Sequence, residues 1–279
     1  MPSLKEIKGR IASVRSTLKI TSAMKLVSSA KLRKAQKAIE AMRPYSAAMQ
    51  DIMDSLLSAG ARLDGISSSG STVVIVAIAS NSSLCGAFNA NVLRKVRELQ
   101  QEYPDARIYC IGRKLSDAMK RDGRPSEEDL SKLSESPSYA ASSDFSARLR
   151  EDFASGKIGK VLLVHNHFVS TSKQLTTVQT LLPSETEHSE ASVSEDYIFE
   201  PSASEILSQL YPKVIDLRFF TALLDSAAAE HAARTVAMQV ATDNGEDLLG
   251  ELTLQYNKSR QQKITSEILD LAGGAAAEV

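Results

Sequence analysis

The stretch that decides the fold is SEILSQLYPKVIDLRFFTALLDSAAAEHAARTVAMQVATDNGEDLLGELTLQYNKSRQQKITSEILDLAGGAAA, residues 204–277. Beyond Pro212 it holds no proline. Its apolar or small residues return every three or four positions, at Val214, Leu217, Phe220, Leu224, Ala228, Thr235, Met238, Ala241, Leu248, Leu252, Tyr256 and Leu269. That spacing draws one face of a helix. At 1.5 Å per residue the helix would run roughly 100 Å, more than a globular domain can cover, so it needs a partner of similar length.

The partner is at the other end of the chain. Leu4, Ile11, Leu18, Lys25, Leu32, Ile39, Ser46 and Met53 fall seven apart. Ile7, Val14, Thr21, Ser28, Ala35, Met42, Met49 and Leu56 follow each of them by three. These are the two apolar positions of a coiled-coil heptad. The seam turns polar or small in its middle, at Thr21, Lys25 and Ser28. Two long helices with a different kind of sequence between them predict an α/β fold of a particular kind. A long antiparallel coiled coil of the N- and C-terminal helices carries an inserted Rossmann-like, mostly parallel sheet. The expected division is 1–58, 70–200 and 203–279.

Ser3 with Glu6 three residues later reads as a capping box opening the first helix. Pro44 predicts a kink, because it removes one intrahelical bond and crowds the preceding turn. GISSSGS (65–71) reads as a connector. VVIVAIA (73–79) is a continuous, largely β-branched run, as in a strand buried on both faces. SNSSLCGAFN follows, then a helix carrying Val92, Leu93, Val96 and Leu99. RIYCIG (107–112) predicts a second strand and leads to a short helix ending near Met119. Residues 123–144, rich in Ser, Pro and Glu, read as loops, and a helix is expected over 144–155. KVLLVHNHFVS (160–170) and QLTTVQTLLP (174–183) read as a hairpin, and the acidic, Ser-rich 184–195 as a loop. DYIFEP (196–201) is a short strand or a lead-in to the last helix. Strand–helix alternation gives five or so strands.

Composition narrows the function. Residues 1–45 carry eleven Lys/Arg against two Glu, about +9, while the whole chain sums to −1, leaving about −10 elsewhere. A solvated helix face accounts for this, and so does a place against an acidic partner. Cys85 and Cys110 make neither a disulfide framework nor a zinc site and suit a reducing compartment. No apolar run reaches membrane-spanning length. The basic N-terminus resembles a transit peptide in composition, but its heptad continues well past transit-peptide length, which favours mature structure.

The middle of the chain offers little catalytic chemistry. SNSSLCGAFN occupies the strand-to-helix turn where Rossmann proteins hold phosphate, yet it has one Gly and the chain has no P-loop. His165 and His167, two apart on a strand, face one side and could share a metal, but no third ligand is near in sequence, which favours structural histidines. The first helix is basic but lacks the interleaved aromatics of a nucleic-acid surface. No catalytic residue, cofactor, metal or nucleic acid is expected.

Three stretches resemble the gamma subunit of F-type ATP synthases. IKGRIASVRSTLKITSAMKLVSSAKLRKAQ (7–36) is similar to that family's opening helix. SNSSLCGAFN (80–89) resembles its LCG loop, with Asn81, Ser82 and Ser83 departing from the usual acidic-basic-Gly wording. EHAARTVAMQVATDNGEDLLGELTLQYNKSRQQKITSEILDLAGGAAA (230–277) resembles its closing helix, including ITSEILDLAGGA (264–275). The resemblance covers about 120 residues.

The resemblance implies a rotor shaft that couples rotation of a proton-driven c-ring to conformational cycling of catalytic beta subunits. Three alpha and three beta subunits would surround the coiled coil, with epsilon and the membrane c-ring at its foot. It places Met24, Lys25, Arg260, Gln261, Thr265, Glu267 and Asp270 against the alpha/beta hexamer. Tyr197 and Glu200 fall at the foot. The small residues of LAGGAAAEV suit a low-friction bearing. The location implied is the cytoplasmic face of a bacterial inner membrane, the alternative being the matrix face of the mitochondrial one. Two rival readings are a non-rotary coiled-coil scaffold and a nucleotide-binding α/β enzyme.

Overall fold

In the computed structural model, residues 3–61, 70–183 and 198–276 are described, with side chains to Leu269 at the C-terminal end. Helix α1 spans Leu4–Ser58 and helix α6 spans Ala203–Ala276. Between them lie strand β1 (Val73–Ile78), helix α2 (Phe88–Glu102), strand β2 (Arg107–Ile111) and helix α3 (Arg113–Arg121). Helices α4 (Ser131–Glu135) and α5 (Tyr139–Ala154) and strands β3 (Lys160–Phe168) and β4 (Gln174–Leu182) complete the chain.

The ends of both long helices follow from local chemistry. The Ser3 hydroxyl accepts from the Glu6 amide at 3.3 Å, and Glu6 accepts from the Ser3 amide at 2.9 Å. This reciprocal box satisfies two of the donors that a helix start leaves bare. Ser202 supplies one half of such a box for α6, its hydroxyl accepting from the Glu205 amide at 3.3 Å. Pro44 does not interrupt α1. The carbonyl that it orphans belongs to Glu40, and both residues are exposed, so the missing bond faces solvent.

The chain forms two compact units. The first comprises Met1–Val27 with Thr235–Val279. Within it α1 and α6 run antiparallel: Lys25 meets Gln239, Thr21 meets Thr242, and Leu18 lies over Gly245. A Cβ on Gly245 would come within 2.7 Å of Leu18 Cδ2, so the glycine lets the two helices approach closely. Ile7, Met238 and Leu252 are buried there.

The second unit comprises Ser28–Arg234. Its sheet has the order β2-β1-β3-β4, with β1 parallel to β2 and β3, and β4 antiparallel to β3. The hairpin is as expected from its alternation. Four strands form among the described residues, against the five or so expected. One face of the sheet (Val74, Val76, Ile78, Ile111, Val161, Leu163) packs with Phe145 and Leu149 of α5, Phe219 and Leu223 of α6, and Met53 and Leu56 of α1. The other (Ile75, Ala77, Cys110, Leu162, Val164) packs with Val92 and Val96 of α2 and Leu115 and Met119 of α3. Two helical coats explain why the strands read as continuous apolar runs. In this unit Leu32 and Ile39 of α1 cluster with Leu224, Ala228 and Ala232 of α6.

The span 123–144 is more ordered than its composition suggests. Helix α4 forms inside it and α5 starts at Tyr139 rather than 144. Leu130, Leu133 and Phe145 are buried, and these isolated apolar residues hold the segment. Residues 198–201 form no strand and lead into α6. The expected loops at 65–69 and 184–195 lie outside the described residues. Among those described, no helix is long and apolar enough to cross a membrane.

Candidate partner-binding surface

In the first unit the predicted surface residues have different situations. Arg260, Gln261, Thr265 and Glu267 are exposed on α6. The Thr265 hydroxyl donates to the Gln261 carbonyl at 2.9 Å, and Glu267 lies 3.6 Å from Lys263, both largely in solvent. Their net worth to the folded chain is small. Met24 is half-buried. Lys25 is half-buried, its ammonium donating across the pair to Gln239 Oε1 at 2.8 Å, and Gln239 donates on to Asp243 at 2.6 Å. The polar middle of the heptad is thus bonded across the pair at Lys25 and at Thr21. In the second unit, Glu200 is exposed two residues after Ile198, which is 91% exposed. Tyr197 and the side chain of Asp270 lie outside the described residues.

Sequence reasoning missed the apolar part of this surface. Ile20, Leu26 and Val27 on α1 are more than half exposed, as are Leu254, Ile268 and Leu269 on α6, with Ile264 at 46%. Ile264 and Ile268 follow Arg260 at four-residue steps, so charge and large apolar groups share one stripe. Large apolar residues on the stretch of α6 that is longer than its partner helix were the available signal. Such a stripe marks a surface that meets another protein.

In the second unit, three charged residues of α6 tie it to the inserted elements. Asp216 accepts from Ser143 at 2.8 Å, from Ser146, and from Arg150 at 3.1 Å, all on α5. Asp225 accepts from the Phe168 amide of β3 at 3.1 Å and contacts the His167 ring. Arg234 donates to Glu230 at 2.6 Å and to the Ser82 hydroxyl at 2.9 Å. Each is at least 90% buried, and the three reach α5, β3 and the loop after β1 in turn. Charges inside the Ala-rich part of α6 were legible, but their partners were not.

His165 and His167 do face one side, towards a carboxylate. His165 Nε2 is 3.8 Å from Asp225 Oδ2. Burial pushes the His165 imidazole down to about 4, against the pull of Asp225. It is therefore neutral in the fold at neutral pH. At the strand-to-helix turn the chain fills its own space. Ser80 donates to the Ser82 carbonyl at 2.5 Å, Asn89 donates to the Ser80 hydroxyl at 2.8 Å and accepts from the Ser80 amide, and Cys85 packs with Phe88 and Ala229. Ser80 and Asn89 thus bond each other across the turn where a Rossmann protein would hold phosphate.

Exposed apolar and charged residues on the end of α6, and an α/β insert fastened to α6 by buried bonds, fit the class of subunits that work by meeting other proteins. Comparisons give the particular family. A family model described as ATP synthase matches residues 3–277. The ATP synthase gamma chain of Phocaeicola vulgatus is 46% identical over 289 residues, covering 99% of this chain and 100% of that one. That of Bacteroides thetaiotaomicron is 45% identical, covering 99% of each. Among solved structures, the rotor of the Euglena gracilis mitochondrial ATP synthase matches with a TM-score of 0.67 at 19% identity, over 94% of this chain and 98% of that one. The chain belongs to the ATP synthase gamma chain family, the non-catalytic central-stalk subunit of the F-type ATP synthase.

Proposed function

We propose that the chain is the rotor shaft linking proton-driven rotation of a membrane c-ring to the binding states of catalytic beta subunits. The observation that carries this is the run of Arg260, Ile264, Ile268 and Leu269, exposed on the stretch of α6 that continues past the start of α1. Such a surface is costly in water and suits an enclosing sleeve. Three alpha and three beta subunits form that sleeve around one copy of this chain. Met24, Lys25, Arg260, Gln261, Thr265, Glu267 and Asp270 face it. Tyr197 and Glu200, beside exposed Ile198, meet epsilon and the c-ring. The shaft segments are 1–58 and 203–279, with 70–200 as the inserted domain. The near-complete match to bacterial gamma chains supports a place on the cytoplasmic face of a bacterial inner membrane, held there through the complex.

Function in this reading is differential binding. Contacts made at some shaft angles and not at others bias each beta subunit between conformations, and that bias is the coupling. The buried bonds of Asp216, Asp225 and Arg234 keep the insert moving with α6. Native mass spectrometry of the complex assembled with its alpha and beta subunits tests the reading. One copy of this chain per three alpha and three beta is expected; recovery only as a self-assembled scaffold overturns it.

A further inference from the structure

Within the second unit, α1, α6 and the loops after β1 and α4 enclose a cavity of about 760 Å³. That is within the range of small-molecule sites. Lys31, Lys34, Arg113 and Arg234 line it, against only Glu135 and Glu230. Glu230 is already bonded to Arg234, so about two positive charges are left over. Ala35, Ala38, Met42, Phe220 and Leu224 form an apolar wall opposite the cations.

We propose that this cavity binds a di- or polyphosphate anion, either free or carried on a nucleoside. The fold fixes one of its cations. Arg234 is 8% exposed and held from two sides, by Glu230 and by the Ser82 hydroxyl. Lys31 and Lys34 lie one helical turn apart on α1 and are exposed, free to close on a ligand. Arg113 enters from the start of α3, where its amide is anchored on Asn81 at 3.0 Å. Cations from three elements converging on one space favour a ligand with several negative oxygens. The apolar wall leaves room for a flat ring. Asn81 and Ser82 of the turn after β1 form one side of the site.

His231 reports on the cavity it lines. Burial first, then Arg234 and Lys31, push its imidazole down to about 4. An anion bound among those cations offsets them and raises that value.

The test is an NMR pH titration of the full-length chain, with His231 assigned by comparison with His231→Gln. Pyrophosphate and ADP are added separately, with sulfate at matched ionic strength as the control. A saturable upward shift of His231 is expected. In the Lys31→Gln, Lys34→Gln double variant, folded by circular dichroism, the affinity should fall at least about tenfold. Equal affinity for pyrophosphate and ADP assigns a phosphate-only site, and tighter ADP brings the apolar wall into it; both support the proposal. No saturable shift, an equal shift with sulfate, or unchanged affinity in the double variant overturns it.

Discussion

Thr242 donates its hydroxyl to Thr21 at 2.9 Å with both side chains buried, joining the two ends of the chain across the helix pair. Each hydroxyl also has an intrahelical outlet: Met238 O is 2.8 Å from Thr242, and Leu18 O is 3.2 Å from Thr21. Replacing either with Val therefore leaves no orphaned donor. The expected cost is at most about 1 kcal/mol for each single change, because the surviving hydroxyl turns to its own helix. Urea denaturation of Thr21→Val and Thr242→Val checks this. A loss of several kcal/mol would show that the pair carries the seam.

The same pair fixes register. With Thr21 opposite Thr242 and Lys25 opposite Gln239, only antiparallel pairing fits. Cysteines placed at 21 and 242 should form a disulfide within one chain under mild oxidation. Native Cys85 and Cys110 are buried and should not compete. Links found solely between chains would contradict the register.

Arg234 and Ser82 predict an asymmetry. Arg234→Ala strands the Glu230 carboxylate, whose proton affinity burial already raises despite Arg234 and Lys31. Breaking a buried pair from one side costs about 3–5 kcal/mol. Ser82→Ala removes only one acceptor and should cost about 1 kcal/mol. Replacing Glu230 and Arg234 together with Leu and Met should recover much of the loss. A Ser82→Ala variant as damaged as Arg234→Ala would refute this ordering.

Much of the fold was legible because periodicity reports burial. Heptads at Leu32 and Ile39, the 3.6-residue rhythm at Leu224 and Ala228, and the apolar run of β1 all follow directly from which face is covered. Helix α1 runs on through Pro44, whose orphaned carbonyl is on the exposed side. Helix α4 was invisible because five residues hold too few turns for a period, and long-range burial of Leu133 decides it. Of the surface, Arg260 and Gln261 are exposed, and Lys25 is half-buried and bonded across the pair to Gln239. Sequence carries no sign of that partner, 214 positions away.

His165 gives a pH dependence with a definite sign. Burial lowers its imidazole from the usual 6.5 to about 4, so between those values the unfolded chain binds a proton that the folded chain refuses. Stability then rises with pH across that window and is lost as pH falls from about 6.5 to about 4. The contribution is of order 3 kcal/mol, since each tenfold change in proton affinity is worth about 1.4 kcal/mol. A His165→Gln variant should show a flatter denaturation midpoint against pH from 7 to 4. An unchanged slope would place the acid sensitivity on other groups.

The exposed stripe on α6 carries the prediction closest to function. Arg260 and Gln261 are exposed one turn before Ile264, so the folded chain makes little use of them. In water such groups are worth little, but facing a polar loop in a dry sleeve they form charge-assisted hydrogen bonds. If those bonds exist only at certain shaft angles, they link angle to catalytic state. Arg260→Ala or Gln261→Leu should leave helix content and melting unchanged while lowering turnover of the assembled complex several-fold. The control is Glu98→Ala: Glu98 is a surface residue of α2 paired only with Lys95 at 2.9 Å, and its loss should change nothing. ATP hydrolysis and proton-driven synthesis should both be assayed, because a grip between shaft and sleeve acts in either direction of rotation. Unchanged rates in both directions would place the grip on other residues of the stripe, with Ile264 and Ile268 next in line.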